Sequence, residues 1–445
     1  MIRGRALRSG ISKLTSRRFV STANNQTVYT TLGNGITVAS ETNPNANSAT
    51  VGLWFGAGSR SEHTYSNGIS ALTSKALARG SGNGLLLSSE NGKETNGLLV
   101  QTTNENIDAA AQKLAEIVKN SSSLVSDNFD AAKAEVIAEA DALEATPSKM
   151  VLEHLNASAF QGYSLGLPTL GTSEIVTDLQ VQDSVRLLEK HLVGPNVVIA
   201  ASGNFDHNKL VDALESAGLQ LPNGLKPAIK PASFLGSEVR MRDDTMPKAY
   251  VSIAAEGEGV NSPAYYVAKV ASAIFGNFDH NQTQSLFSSP KLASIVQEYN
   301  IVDKYTHFSN SYSDTGLWGF NAEVSNIERL DEFVHFTLKE WNRLSISITD
   351  AEVARGKAAV KTALLRELDS TSATASDIAN KVLLVGYRKS LTEAFQNIDA
   401  ITTKDVKAWA NTALWDRDIV ISGTGQIEAL LDYNRWRNEM AMMRW

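Results

Sequence analysis

The sequence predicts an α+β protein of two similar domains, each a mixed β-sheet covered by helices, and three observations carry that expectation. The two halves repeat at a constant offset of 222 residues: Asp183 matches Asp405, Leu192 matches Leu414, Asn196 matches Asp418, Val197-Val198-Ile199 matches Ile419-Val420-Ile421, and Gly203 matches Gly425. Each block reads as an acid-started helix, a short turn, a buried strand and a glycine turn. Between the halves, Pro222, Pro227 and Pro231 lie close together with Gly224, Lys226 and Lys230 and no helical or strand periodicity, which makes residues 220–235 a semi-rigid linker. Within each half, strand and helix segments mix instead of alternating strictly, which separates α+β from a doubly wound parallel sheet. The division is therefore residues 1–25 as a leader and flexible N-terminus, 26–219 as the first domain, 220–235 as the linker and 236–445 as the second domain.

The leader comes first. Arg3, Arg5, Arg8, Lys13, Arg17 and Arg18 stand in a stretch rich in Ser and Thr, and no acid precedes Glu41. Such an acid-free, cationic N-terminus reads as a mitochondrial transit peptide. Arg17-Arg18-Phe19-Val20-Ser21 resembles the arginine-containing sites cut by the matrix processing peptidase, which puts the mature start near Val20. Beyond the leader, 35 Lys and Arg face 48 Asp and Glu, a net charge of −13, and an acidic body argues against nucleic acid as a partner. The 445 residues include no cysteine, which excludes disulfides, Cys-ligated zinc, thioether-attached haem and all-cysteine iron-sulfur clusters. No cofactor is expected. Apolar runs such as Val197–Ala201 are of buried-strand length, far short of the ~18 residues of a membrane span. Any membrane contact is then peripheral, through a partner.

The elements follow in order. Asn34-Gly35-Ile36 leads toward the β-prone segment Ala49–Ser59, and Asn67-Gly68 opens a helix that the loop Gly80-Ser81-Gly82-Asn83-Gly84 ends. A helix over Asp127–Glu144 buries Phe129, Ala132, Val136, Ala140 and Leu143 at helical spacing and turns Asp127, Asp130, Glu135, Glu139, Asp141 and Glu144 to solvent. In the second half, Lys248–Glu256 is β-prone; Ser262 at the N-cap, Pro263 at the first turn and Gly276 past the end frame the next helix. A later helix begins near Asp350. Gly423-Thr424-Gly425 follows the strand Ile419–Ser422 and precedes a helix expected near Ile427, imitating a dinucleotide fingerprint. The third glycine position is Glu428, of the wrong sign for phosphate, so a strand-to-helix turn common to both halves accounts for it.

Several stretches together resemble a known family. Asn34-Gly35-Ile36, Val51 to Arg60, Asn67-Gly68 and Leu167-Pro168-Thr169-Leu170-Gly171 in the first half are joined by Ser311-Tyr312-Ser313-Asp314-Thr315-Gly316-Leu317-Trp318-Gly319, Thr349-Asp350-Ala351-Glu352-Val353 with Lys357, Asp432-Tyr433-Asn434-Arg435 and Met443-Arg444-Trp445 in the second. They look like the pitrilysin family, in the branch that holds the mitochondrial processing peptidase β subunit and core protein 1 of the ubiquinol-cytochrome c reductase (complex III). Active members carry H-x-x-E-H on the first helix and a distal glutamate: two imidazoles on one helix face hold zinc, and the carboxylate between them activates its water. Counted from Asn67-Gly68, the imidazole positions are Ala71 and Lys75 and the base position is Ser74; the distal position falls at Ala140, with Glu139 beside it. Alanine has no donor, an ammonium has no lone pair, and a serine hydroxyl is too weak a base. These five residues are read as a vestigial zinc motif, with no catalytic, cofactor or metal site in use. His63, His154, His191, His207, His280, His307 and His335 include no pair at metal-ligand spacing.

The resemblance implies a non-catalytic subunit of complex III that supports assembly of the complex transferring electrons from ubiquinol to cytochrome c. Its implied partners are core protein 2, cytochrome b, the c-type cytochrome and the Rieske protein, and its implied place is the matrix side of the mitochondrial inner membrane. The alternatives are an active β-type processing peptidase subunit, against which the lost H-x-x-E-H speaks, and a non-catalytic module that binds presequences.

Overall fold

The computed structural model describes residues 26–79, 85–222, 224–282 and 290–442. The leader, the loop Gly80–Gly84 and the terminal Met443-Arg444-Trp445 lie outside them. In the first half, the strands are β1 (Val28–Thr31), β2 (Thr37–Thr42), β3 (Ser48–Phe55), β4 (Leu86–Asn91), β5 (Asn96–Thr103) and β6 (Val197–Gly203). Its helices are α1 (Ile69–Ala78), α2 (Ile107–Lys119), α3 (Ser121–Glu144), α4 (Pro147–Ala159), α5 (Ser173–Asp178), α6 (Val181–His191) and α7 (His207–Ser216). The second half has β7 (Ser237–Arg242), β8 (Ala249–Gly257), β9 (Asn277–Asp279), β10 (Lys304–Ser311), β11 (Gly316–Val324) and β12 (Ile419–Gly425). Its helices are α8 (Tyr265–Phe275), α9 (Lys291–Tyr299), α10 (Leu330–Ile346), α11 (Asp350–Glu367), α12 (Thr371–Val385), α13 (Leu391–Ala400), α14 (Thr403–Ala413) and α15 (Tyr433–Met442).

The strands form two six-stranded mixed sheets, ordered β1-β2-β6-β3-β5-β4 and β7-β12-β8-β11-β10-β9. In each, the last strand in sequence inserts between earlier ones, β6 between β2 and β3 and β12 between β7 and β8. β6 runs parallel to β2, with Val198 opposite Thr37, and β12 parallel to β7, with Val420 opposite Ser237; both run antiparallel to their other neighbour. The repeat seen in sequence is this insertion. α6 and α14 start 222 residues apart, at Val181 and Thr403, and both carry a capping box closed by the acid at the third position, Asp183 and Asp405.

Each sheet is covered on one face by helices of its own half and on the other by a helix of the opposite half. α12 crosses β6 and β3 of the first sheet, setting Ile378, Val382 and Leu383 against Trp54, Leu99 and Val198. α4 crosses β12 and β8 of the second, setting Leu155 and Ala159 against Ala254, Leu317 and Val420. This exchange explains why the central strands read as continuous apolar runs rather than alternating ones. In β6, Val197, Ile199 and Ala201 face the first domain's own helices while Val198 and Ala200 face α12. Truncating Ile378, which is fully buried, to alanine removes about 2–5 kcal/mol from the join between the domains.

Three boundaries differ from the sequence reading. α3 begins six residues before Asp127, at Ser121, because Val125 is also buried and extends the apolar stripe toward the N-terminus. α8 begins at Tyr265: Ser262 accepts a bond from the Ala264 N–H and closes a turn before the helix, which ends at Gly276 in a positive-φ conformation as expected. No helix starts near Ile427. Gly423-Thr424-Gly425 remains in β12, paired on one side with β7 and on the other with β8, and the next helix is α15. Its main-chain N–H groups are therefore spent on the sheet and cannot cradle a phosphate.

Candidate functional site

α1 is held from its N-terminal end. Glu62 accepts bonds from the backbone N–H of Gly68 and Ser70, each at 2.8 Å, from Asn67 Nδ2 at 2.7 Å and from the Ser70 hydroxyl, so one carboxylate satisfies two of the helix's open donors. Burial pushes the Glu62 pKa up, against the pull of those four bonds. Gly68 has φ of 92°, and a Cβ there would stand 2.6 Å from the Leu170 carbonyl oxygen. The Asn67-Gly68 and Leu170-Gly171 motifs are thus two sides of one backbone contact that only glycine permits.

The helix that follows is buried along its length, from Ile69 to Leu77. Ala71 is wholly enclosed. The Ser74 hydroxyl lies 3.0 Å from the Ala71 carbonyl and also meets the Asn91 side-chain amide. Lys75 reaches across to α3, where its ammonium donates to Glu135 at 2.9 Å and to Glu139 at 2.6 Å, and Arg79 binds the other oxygen of Glu135 at 2.8 Å. Burial works against the Lys75 charge, but the two carboxylates outweigh it and its pKa rises; Lys75 first, and then Arg79, hold Glu135 below the usual carboxylate range.

The structure sets Ala71, Ser74 and Lys75 on one buried helix and brings Lys75 to Glu139 on α3. Glu139 points at Lys75, whereas Ala140 packs into the interior. It also corrects the reading of α3 as a helix whose acids only meet solvent, since Glu135 and Glu139 bind an internal cation. These residues do not fit zinc. The place between the two carboxylates is filled by an ammonium, whose nitrogen offers no lone pair to a metal. Among the described residues, no group of three or more His, Cys, Asp or Glu could hold a metal ion.

Three of the histidines make contacts away from this helix face. The His307 ring takes a bond from Trp341 Nε1 at 2.8 Å and stacks on Phe275, and full burial lowers its pKa to about 3. His207 bridges the Thr30 and Ser40 hydroxyls. His335 lies 3.2 Å from Glu439.

A second constellation, which sequence reasoning missed, ties the domains together. The Arg60 guanidinium binds Glu94 at 2.6 Å and Asp314 at 2.7 and 2.8 Å, together with the Ser313 hydroxyl and the Lys230 carbonyl. Ser313 donates back to Glu94, and the Ala232 N–H donates to Asp314. The turn between β10 and β11, inside the Ser311–Gly319 motif, is thus the second domain's half of a clasp that includes the linker. Arg60 and Asp314 lie 254 residues apart, and no local pattern pairs them.

Comparison with known proteins places this geometry. Residues 37–173 match the family described as Insulinase (Peptidase family M16), and residues 178–360 match the Peptidase M16 inactive domain. The chain is 62% identical to the Cytochrome b-c1 complex reductase subunit, mitochondrial, of Candida albicans, over 100% of both chains. It is 44% identical to the Cytochrome b-c1 complex subunit 1, mitochondrial, of Saccharomyces cerevisiae, over 99% of this chain and 100% of that one. The Mitochondrial-processing peptidase subunit beta of Lentinula edodes is 34% identical over 99% of each chain. Among solved structures, a chain of Complex III2 from Candida albicans, Inz-5 bound, superposes with a TM-score of 0.91 at 62% identity, covering 93% of this chain and 100% of that one. A protease from Helicobacter pylori shares the fold at a TM-score of 0.76 and 16% identity, over 90% and 99% of the two chains. Two mixed sheets with exchanged covering helices, together with these matches, establish that the chain belongs to peptidase family M16.

Proposed function

We propose that the chain is the first core subunit of the mitochondrial cytochrome b-c1 complex and serves its assembly and stability without catalysing a reaction of its own. Identity of 62% along the full length of a subunit of that complex carries this reading. The Lys75 ammonium between Glu135 and Glu139 supports the non-catalytic part, because it occupies the face on which peptidases of this family hold zinc. Ala71, Ser74, Lys75, Glu139 and Ala140 are on this reading what is left of that motif.

The partners on this reading are core protein 2, cytochrome b, the c-type cytochrome and the Rieske protein, with the chain peripheral on the matrix side. No helix among the described residues is long and apolar enough to cross a membrane, which agrees with a peripheral attachment. On the same reading residues 220–235 are the linker between its two domains, and residues 1–25 hold its transit peptide and a flexible N-terminus. With no cysteine and no metal cluster among the described residues, its contribution is surface: large, well-packed faces against other subunits.

Deleting the gene tests the role. Assembled complex and spectroscopically visible cytochrome b should fall together, with the haem potentials of any surviving complex unchanged. Normal cytochrome b with lost presequence cleavage would refute the proposal and favour a processing role. Alkaline carbonate should release the chain from the membrane, whereas mild salt should not.

A further inference from the structure

We infer that the linker face of the molecule, where Tyr163, Leu225 and Ile229 stand among Lys190, Lys226 and Lys230, is the docking surface for an acidic segment of a neighbouring subunit that also brings an apolar side chain. This rests on the reading of the chain as a subunit of the cytochrome b-c1 complex, and adds which face is covered and by what chemistry.

Large apolar side chains stay in water here. Leu225 is 92% exposed, Tyr163 67% and Ile229 45%. Tyr163, Ile229 and the three lysines border one hollow of about 350 Å³ between the domains, walled by Leu383 and Leu384 of α12, and Leu225 adjoins it beside Lys226. The backbone around these side chains is fixed. The Lys226 ammonium donates to the Leu383 carbonyl at 2.7 Å and the Lys230 carbonyl accepts from Arg60 at 2.8 Å, so Ile229 lies between two pinned points of the linker. Tyr163 sits in a turn where Gln161, Gly162 and Ser164 have φ of 58°, 68° and 55°. Two of these three are not glycine, so the turn is held against its own backbone preference. The Tyr163 main chain is bonded on both sides, its N–H to the Phe160 carbonyl at 3.2 Å and its carbonyl to the Gly166 N–H at 2.9 Å. An aromatic side chain presented on a rigid turn loses little freedom when a partner covers it, which suits an interface anchor.

Charge selects the partner. Lys190, Lys226 and Lys230 are exposed, and none of them forms an ion pair with a described residue. The acids of the same lining are already bound: Glu94, 5% exposed, by Arg60 and Ser313, and Glu62 by the four donors at the start of α1. The charge that this face turns to solvent is therefore cationic, in a chain with more acids than bases. Carboxylates on the lysines and one apolar side chain in the hollow complement it. The concave shape favours a protein segment over a lipid surface, because a side chain can enter the hollow and a flat bilayer cannot follow it there.

The test uses the full chain in its complex, as the only copy in the cell, with the photoreactive residue p-benzoylphenylalanine in place of Tyr163 or of Leu225. Light should link both positions to one other subunit that purifies with cytochrome b, and mass spectrometry should place the link in a stretch carrying more than one Asp or Glu. The same probe in place of Lys209, on α7 beyond the far end of β6, should not yield that peptide. Joint charge reversal, Lys190→Glu with Lys230→Glu, should lower the yield of the link on the order of fivefold or more, whereas Lys190→Arg with Lys230→Arg should leave it unchanged. Both side chains are exposed, so these variants should keep the parent's melting temperature. A link to phospholipid in place of protein, a linked peptide without acids, or a yield unmoved by the reversals would each overturn the assignment. A chain that purifies with cytochrome b yet gives no link from either position sinks this inference alone; a chain absent from that complex sinks the functional reading and this inference with it.

Discussion

Replacing Lys75 with methionine isolates the contribution of the ammonium that bridges α1 and α3. Methionine keeps the length and apolar stem of the side chain, so packing along α1 changes little. What is lost is the bridge from α1 to Glu135 and Glu139 on α3. Removing one partner of a fully buried ion pair costs about 3–5 kcal/mol, and an exposed pair is worth about 0–1 kcal/mol. Lys75 is nearly enclosed at 9% side-chain exposure, but Glu135 and Glu139 keep 45% and 46% of theirs, so water takes over much of their solvation once the ammonium is gone. The expected loss is therefore about 1–2 kcal/mol, or roughly 2–8 °C in the melting temperature of a domain of this size. The pH dependence has a definite sign. Because the Lys75 pKa is raised from 10.5, its stabilisation is fully present below that value and lost as pH rises through the folded pKa. Because the Glu135 pKa is lowered from 4.5, its share is present above that value and lost as pH falls through the folded pKa. Urea unfolding of the full chain at neutral pH, beside Lys209→Met as an exposed control, measures the difference. A Lys75→Met protein as stable as the parent would refute the claim that the internal cation holds α1 to α3.

Four further outcomes follow from the same physics. The chain should bind no stoichiometric zinc and cleave no presequence when mixed with a peptidase α subunit; elemental analysis finding about one tightly held zinc per chain would contradict this. Arg60→Met should cost about 3 kcal/mol or more, because it leaves Glu94, 5% exposed, without its cation, and should split thermal unfolding into two transitions; a single unshifted transition would remove the clasp as a domain tie. Glu352 is held down to about 2: burial opposes its charge, but Arg343 and the Thr349 cap prevail, so its stabilisation is present above pH 4.5 and declines as pH falls toward 2. Glu352→Gln should flatten that part of the acid-unfolding curve, and an unchanged curve would count against it. N-terminal sequencing of the protein from mitochondria should begin near Val20, and an intact Met1 would show that residues 1–19 are not a removed leader.

Much of this architecture was legible in the residue order because it rests on local rules. Capping acids at Asp183 and Asp405, the apolar runs after them, and the proline cluster between the halves each report a nearby backbone requirement, and their repetition reports two domains. That Ala71, Ser74 and Lys75 lack the donor atoms a zinc motif needs was legible too, whatever surrounds them. The tertiary structure alone decided what stands there now. That Lys75 meets Glu135 and Glu139 depends on how α1 packs against α3, 60 and 64 residues away, and the choice of Glu139 over Ala140 turns on the rotation of one helix about its axis. The tie between domains was equally hidden, because Arg60 meets Asp314 across the boundary that α4 and α12 also bridge, far from it in the chain. Periodicity and capping act over a few residues and can be read along a chain; ion pairs and cavities between domains are set by the relative placement of whole elements, which no short stretch encodes.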